Sequence, residues 1–398
     1  MKLSVLVFAN FIASIAMGIA LTIVPWELSR SLGGEKVLAF TATYATALLI
    51  FLAPVSGRVV DRFSRRSTLM ICIAIMAGVL QIASVAYGNS FLKIASLSTF
   101  YFASQVFFLF FYNALTAFIQ EVFAEGERGK VNGWMQVEMQ ASTFVVGLLM
   151  IYAVNSNDFQ FLLQLNSGLM LLSALLFCFI PYTQQARPAR ARVSRTVFRS
   201  IFKRKDLVLL GVCANITFVA VMMLNLVHPI YLSGVLKLDV SALAKLSISY
   251  GLGAALSGFL ISRFVSTGSA IRIMRICLTV FSLALLTISL FPTLPTIVIG
   301  MGILGAMGSA NRVAFNTYVM SKVEKDIFGS YLSVISSLTY VQRTLFGFLL
   351  SMLIVGFPAS NYYWFVFAIS CFGLLLLQIH AVLASTQKLE LSEPIEVN

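Results

Sequence analysis

Residues 57–66 read GRVVDRFSRR, and the interpretation of the whole chain starts from this stretch. It places four arginines and one aspartate between two long apolar runs, 37–57 and 68–88. An apolar run of about 20 residues is long enough to cross the hydrocarbon core of a bilayer as a helix. The pattern therefore predicts two transmembrane helices joined by a short loop, which its arginines hold against anionic headgroups.

The composition extends this prediction to the whole chain. Of its 398 residues, 59% are apolar and only 11% are charged, whereas soluble domains carry about 25% charged residues. Because unpaired backbone groups are too costly in lipid, so many apolar runs must be helices. We predict an all-α membrane protein with twelve transmembrane helices, near 3–27, 37–57, 68–88, 93–121, 131–154, 161–181, 207–233, 242–262, 273–292, 296–320, 330–356 and 364–384.

The basic residues predict the orientation. If the N-terminus is cytoplasmic, the cytoplasmic loops and termini hold 21 Lys and Arg residues and the opposite side holds five. Cytoplasmic loops collect Lys and Arg, so both termini are expected in the cytoplasm. The first apolar run is longer than the core of a signal peptide, and we interpret it as the first span. We expect a multi-pass protein of the cytoplasmic (inner) membrane.

A basic loop, 182–206, divides the spans six and six and carries eight Lys and Arg residues. We predict a six-helix bundle at 1–181, this cytoplasmic linker, a second bundle at 207–384 and a cytoplasmic tail at 385–398. The linker is expected to contain an amphipathic helix on anionic lipid. The net charge of +13 is thereby explained by topology and membrane lipid, and we expect no nucleic-acid partner.

The two halves repeat. Residues 25–29 (PWELS) recur as 229–233 (PIYLS), and residues 57–63 (GRVVDRF) recur as 258–264 (GFLISRF). The offsets, 204 and 201, are nearly constant. Parallel six-helix repeats related by an axis along the membrane normal characterise one large class of transporters. The fold class that we predict is two six-helix bundles related by pseudo-two-fold symmetry.

The stretch 57–66 resembles the loop signature of the major facilitator superfamily, G-x-[L/V]-x-D-R-x-G-R-[R/K], with Ser64 where glycine is usual. Residues 125–133 resemble the loop that opens span five in the same superfamily. This resemblance implies a secondary transporter, a symporter or an antiporter. It also implies a gating loop in which Asp61 and nearby arginines latch the cytoplasmic gate and Gly57 lets two helices approach closely. The loop residues are Gly57, Asp61, Arg62, Arg65 and Arg66.

The order of residues from Glu27 to Gly57 resembles the macrolide-efflux and siderophore-exporter branch of the superfamily. Two features usual in proton-coupled exporters are missing. The expected arginine of span four is replaced near Ser104, and span five keeps only Gly147 of a proline-glycine signature. These departures weigh against proton-coupled drug export.

Charged side chains inside spans usually face a cavity or a partner. Arg343 is predicted near the middle of span eleven, and Arg312 lies nearer the cytoplasm in span ten with Asn316 one turn on. Glu138 is the acidic residue deepest in a span. It is either a proton carrier or counter-charge, or one half of a structural ion pair. Two deep arginines against one glutamate suggest an anionic or zwitterionic substrate.

Glu27 and His228 occupy matching outer ends of spans one and seven. They form either a pH-sensitive outer gate, since histidine titrates near neutrality, or plain interfacial contacts with headgroups and water. Asn10, Asn215 and Asn225 lie on the same two spans. They either line the cavity or join helices.

The leading functional hypothesis is a secondary active transporter that works as a monomer by alternating access and exports a small organic solute, siderophore-like or drug-like. Uptake of an organic anion and lysophospholipid flipping are alternatives, and so is a sensor or scaffold that has lost transport. An enzyme is not expected, because the chain has no H-E-x-x-H, G-x-S-x-G or P-loop motif. No cofactor or metal is expected.

Overall fold

A computed structural model describes residues 2–153, 158–183, 202, 204–261, 268–323 and 325–392. Within these residues the structure has twelve long helices, as the sequence predicts, and their bounds extend most predicted spans by a few residues. They are α1 (Lys2–Arg30), α2 (Gly34–Arg62), α3 (Arg65–Ala86), α4 (Ser90–Val122), α5 (Glu125–Ala153), α6 (Phe159–Cys178), α7 (Lys205–Gly234), α8 (Ser241–Ile261), α9 (Ala270–Leu290), α10 (Leu294–Lys322), α11 (Lys325–Gly356) and α12 (Tyr362–Ser392).

Most of these helices have the length and composition of membrane spans. Over the described ranges, ten candidate spans are long and apolar enough to cross a bilayer, and α5 adds the shorter apolar stretch Val137–Ile151. Large apolar side chains such as Phe51, Ile75 and Leu256 are exposed on the helices, which suits a surface that faces lipid. The all-helical, multi-pass membrane fold is confirmed.

The chain divides into two compact units. Unit 1 comprises Met1–Arg190, Asn225–Leu252 and Arg343–Ala359, and unit 2 comprises Ala191–Leu224, Gly253–Gln342 and Ser360–Asn398. The borders of the units fall inside α7, α8 and α11, so these units differ from the six-helix bundles predicted at 1–181 and 207–384. The predicted division into bundles stays a prediction. Most of the basic linker lies outside the described residues, and so does the amphipathic helix predicted in it.

In unit 1, α1 packs against α2, α4, α5 and α6. Small and apolar residues on several sides of α1 are buried. Two serines of α6 fasten the neighbouring helices: the Ser173 hydroxyl donates to the Ala9 carbonyl at 2.8 Å, and the Ser167 hydroxyl to the Ala77 carbonyl at 2.8 Å. Small residues and hydroxyl bonds are the usual means of joining helices in lipid, where apolar burial gives little net gain.

Local signals in the sequence explain where the helices of unit 1 begin. Gly33 has a φ of 71° in the tight turn between α1 and α2, a conformation that glycine adopts without strain. Ser64 is the N-cap of α3 and its hydroxyl accepts from the Ser67 amide at 3.3 Å. Asp158 caps α6 in the same way, through the Phe161 amide at 2.9 Å. The serine that departs from the loop signature thus has a capping role.

In unit 2, α9 packs against α10 and α12. Asn311 of α10 is buried, and its amide donates to the Ala214 carbonyl at 2.8 Å and to the Thr217 hydroxyl at 3.2 Å. The Tyr331 hydroxyl donates to the Leu207 carbonyl at 2.8 Å. Polar side chains in this unit therefore join helices.

Candidate substrate and gating sites

Glu138 is buried on α5 with an amide as its closest partner. The Asn10 side-chain amide donates to the Glu138 Oε2 atom at 2.5 Å and, at 3.4 Å, to the hydroxyl of Ser14, one turn along α1. Among the described residues, no Lys, Arg or His lies within 4.0 Å of this carboxylate, and its Oε1 atom has no hydrogen-bond partner. Of the two interpretations of Glu138, the structural ion pair has no support in the described residues.

Arg343, on α11, reaches α4. Its guanidinium donates to the Gln105 side-chain oxygen at 3.1 Å, and Tyr101, one turn before Gln105, is within electrostatic range. The neighbouring Ser104 hydroxyl donates to the Tyr101 carbonyl at 2.7 Å, within its own helix. A cation therefore stands beside the position of α4 where the superfamily resemblance expects an arginine, but α11 supplies it.

Three other predicted site residues are exposed. Arg312 and Asn316 lie one turn apart on α10 in unit 2, and Asn225 lies on α7 in unit 1. Their roles stay predictions.

Glu27 belongs to a charged cluster on α1, α3 and α4. Its carboxylate is buried, and it accepts from the Lys93 ammonium at 2.5 Å and from the Tyr87 hydroxyl at 2.6 Å. The Lys93 nitrogen also lies 4.2 Å from the centre of the Tyr87 ring. Burial, and then the neighbouring carboxylate, raise the pKa of Tyr87, so its hydroxyl remains a donor. The described partners of the Glu27 carboxylate are thus Lys93 and Tyr87, whereas the sequence pairs Glu27 with His228.

The C-terminal ends of α1 and α7 meet through serines. The Ser29 hydroxyl lies 3.1 Å from the Ser233 hydroxyl and 3.2 Å from the Pro229 carbonyl, next to the buried His228. Ser29 and Ser233 are equivalent in the sequence repeat. Equivalent residues contact each other only near a two-fold axis, so the pseudo-two-fold axis passes close to this pair.

Two glycine contacts are related by the same symmetry, and both lie in unit 1. A Cβ atom at Gly347 of α11 would stand 3.0 Å from the Thr43 hydroxyl of α2. A Cβ atom at Gly147 of α5 would collide with Ile248 and stand 3.3 Å from the Ala244 carbonyl of α8. The offsets from 147 to 347 and from 43 to 244 are 200 and 201, which match the repeat. The predicted pseudo-symmetry is therefore present in packing as well as in sequence.

The gating loop contacts α4 and the segment after α6. The Arg65 guanidinium donates to the Ala117 carbonyl, and its Nε atom lies 3.6 Å from the Glu121 carboxylate. The Tyr182 hydroxyl donates to the same carboxylate at 2.7 Å. Burial, and then this hydrogen bond, raise the pKa of Tyr182. Glu121 therefore joins the loop to the residue at which the basic linker begins.

The other loop residues have separate surroundings. Arg66 donates to the Ile180 carbonyl at 3.4 Å and lies over the Tyr182 ring, whereas Arg62 is exposed and lies 5.8 Å from the Phe63 ring centre. A Cβ atom at Gly57 would meet no described atom within 4 Å, so the described residues show no close approach there. The side chain of Asp61 is outside the description.

Sequence reasoning missed several partners in these clusters. Glu27 ends the first predicted span and Lys93 begins the fourth, so both lie on the side opposite to the termini. Glu121 and Arg65 lie at one level, at the ends of neighbouring antiparallel helices. Equal depth and opposite charge are a signal that could have found both pairs. No comparable signal marked Gln105, a neutral side chain in an apolar run.

The helices are long and apolar, and several of them carry buried charged or amide side chains. The sequence profile of the Major Facilitator Superfamily matches residues 6–346, so the chain belongs to that superfamily and is a membrane transporter, not an enzyme. No curated protein matches the chain by sequence.

Solved structures are similar in fold. The nucleoside transporter NupG superposes with a TM-score of 0.68 at 14% identity, covering 96% of this chain and 98% of that one. A bacterial homolog of the human lysosomal transporter Spinster, in an inward-facing and unoccupied conformation, gives 0.65 at 14% identity, with 96% and 94% covered. At this identity the likeness concerns the fold alone.

Proposed function

We propose that this protein is a secondary active transporter of the cytoplasmic (inner) membrane, which exports a small organic solute of anionic or zwitterionic character. Its termini lie in the cytoplasm, and the two halves rock about a site between their spans, as in other transporters of parallel repeats.

The observation that carries this proposal is the environment of Glu138. Burying a carboxylate with only neutral partners and one unpartnered oxygen is costly. A structural role would be better served by a cation, as at Glu27. Glu138 is therefore the group that takes up a proton or a cationic part of the solute, with Asn10 and Ser14 holding it in position.

Arg343 supplies the opposite charge. Its guanidinium can form two parallel hydrogen bonds with a carboxylate or a phosphate, and Gln105, which accepts from it, is a neutral side chain beside which an acidic group can bind. An anionic part of the solute therefore binds at Arg343. Arg312, Asn316 and Asn225 are each proposed as further substrate or coupling residues.

Two clusters at opposite ends of the helices are proposed as gates. The contacts Ser29–Ser233, Thr43–Gly347 and Ala244–Gly147 close the end that includes Glu27 and His228. The network of Arg65, Glu121 and Tyr182, with Gly57, Asp61, Arg62 and Arg66, latches the cytoplasmic end. Export is supported by the resemblance of residues 27–57 to the efflux branch.

Binding is tested first. Purified full-length protein is screened by thermal unfolding against a panel of organic anions, zwitterions, nucleosides and lysophospholipids, because a ligand stabilises the state that it binds. We expect anionic or zwitterionic compounds to stabilise the wild type and Glu138→Gln or Arg343→Gln to lose that stabilisation. Asn166→Leu, in α6, is the control and is expected to keep it.

Transport is tested next in proteoliposomes, with each stabilising compound and with or without an imposed proton gradient. Export predicts movement from the cytoplasmic face outward when the orientation of the protein in the vesicles is fixed. Accumulation that ignores the gradient removes proton coupling and leaves Glu138 as a substrate ligand. A compound that binds and is never moved, in either direction, contradicts the transporter and favours a sensor.

A further inference from the structure

A single face of α4 connects the two deep charges of unit 1. Tyr101, Gln105, Phe108 and Tyr112 follow one another at intervals of four, three and four residues, which places them along one stripe of the helix. Gln105 holds Arg343 through the 3.1 Å hydrogen bond. Tyr112, at the other end of the stripe, lies close enough to Glu138 for the two to interact electrostatically.

The stripe has a measurable length. Seven residues separate Gln105 from Tyr112, and a helix rises 1.5 Å per residue, so the two positions lie roughly 10 Å apart along the axis of α4. A cation is bound near one end and a carboxylate lies near the other. A solute that contacts both groups along this stripe spans a similar length and carries charges of opposite sign.

The middle of the stripe is aromatic. Phe108 stacks on Tyr112, with ring centroids 5.7 Å apart and an angle of 12° between the planes. An extended apolar chain packs well against such a surface. The centre of the stripe therefore suits hydrocarbon, and its two ends suit charged groups.

We propose that the substrate is an elongated zwitterion that lies along α4, with its acidic group on Arg343 and Gln105, its amino group on Glu138 and Asn10, and its apolar middle against Phe108. The inference rests on the proposed function and adds the substrate class and its binding orientation. A plain anion leaves the buried carboxylate without a cation, and a plain amine does not use the guanidinium, so both bind less tightly.

The test uses purified full-length protein and thermal unfolding titrations with probes of one length and different ends. These probes are 8-aminooctanoate, octanoate and octylamine, together with 4-aminobutyrate as the short zwitterion. We expect 8-aminooctanoate to bind at least tenfold more tightly than the other three. Equal affinity for 8-aminooctanoate and octanoate, or for the long and short zwitterions, overturns the inference.

Two variants assign the ends. In Glu138→Gln, 8-aminooctanoate is expected to lose its advantage over octanoate and to keep its advantage over octylamine. In Arg343→Gln, 8-aminooctanoate is expected to lose its advantage over octylamine and to keep its advantage over octanoate. Gln105→Glu is a second variant for the acidic end, and it weakens octanoate and 8-aminooctanoate alike. If Glu138→Gln and Arg343→Gln each lower the affinity for all four probes equally, the solute does not bind in the proposed orientation.

Failure here is distinguishable from failure of the proposed function. If none of these probes binds but another compound of the panel is transported in a manner that needs Glu138, the transporter stands and the elongated zwitterion is wrong. If the purified protein moves no panel compound, the proposed function itself fails.

Discussion

Glu27 and Glu138 are both buried carboxylates of unit 1, at 6% and 4% exposure, but their partners differ in kind. Glu27 has an ammonium at 2.5 Å and a phenol at 2.6 Å. Glu138 has an amide at 2.5 Å, and one of its oxygens is without a partner in the described residues. A carboxylate with a full set of partners holds helices together, whereas one with an incomplete set remains available for a ligand.

The largest effect is expected at Lys93. Replacing it in Lys93→Met leaves Glu27 buried without its cation, which costs about 3–5 kcal/mol of the free energy of unfolding. The thermal or denaturant unfolding of the purified protein measures this loss. The matched double variant Glu27→Gln/Lys93→Met removes both charges and should recover most of the stability. If Lys93→Met is as stable as the wild type, the ion pair of Glu27 with Lys93 does not stabilise the fold.

Tyr87→Phe removes only the second partner of Glu27. A hydrogen bond to a charged group contributes roughly 1.5–3 kcal/mol, so we expect a loss of about 2 kcal/mol, read from the same unfolding measurement. The affinity for ligands of the wild type should not change. If Tyr87→Phe changes the affinity for these ligands and leaves the stability unchanged, the cluster of Glu27, Lys93 and Tyr87 has a role in binding and not in stability.

Asn166 calibrates what an unpartnered polar group costs. Its side chain is fully buried on α6, and both polar atoms lack a hydrogen-bond partner in the described part of the chain. Asn166→Leu should therefore raise the stability by about 1 kcal/mol. The control is Asn311→Leu, which removes two hydrogen bonds and should lower it. If Asn166→Leu is destabilising, a buried polar group without a described partner is not costly in this protein. The same argument then no longer identifies Glu138 as a binding group.

The smallest loss of stability is expected at Glu138. In Glu138→Gln the side-chain oxygen can still accept from Asn10, no buried cation loses its partner and a costly buried carboxylate is removed, so the free energy of unfolding should not fall. Thermal unfolding in the absence of ligand measures it. A loss as large as that of Lys93→Met would make Glu138 a structural residue.

Most of the fold could be predicted from the sequence. Hydropathy alone marks the twelve helices, since a run of apolar residues has one stable form in lipid, and the repeat predicted the symmetry that Ser29 and Ser233 display. Helix ends were less accurate, because capping residues such as Ser64 act locally and do not change the hydropathy.

The candidate sites were only partly predictable. Glu138 and Arg343 stand out because a charge in an apolar run is rare. Their partners could not be predicted, since Asn10 and Gln105 become partners only when α1 packs on α5 and α11 reaches α4. Lys93 begins the fourth predicted span, and its pairing with Glu27 depends on the contact between α1 and α4. The sequence shows which groups are deep, and packing determines what they contact.

The transport rate in proteoliposomes separates the binding role of Glu138 from the structural role of Glu27. It is measured with a compound that binds the wild type, for Glu138→Gln and for Glu27→Gln/Lys93→Met at equal protein content. Loss of a buried charged contact of roughly 2–4 kcal/mol corresponds to a fall of about 30- to 1000-fold. We predict such a fall for Glu138→Gln and a rate within about threefold of the wild type for the double variant, whose change is structural. If Glu138→Gln transports the compound and the double variant is folded but inactive, the roles assigned to the two carboxylates are wrong.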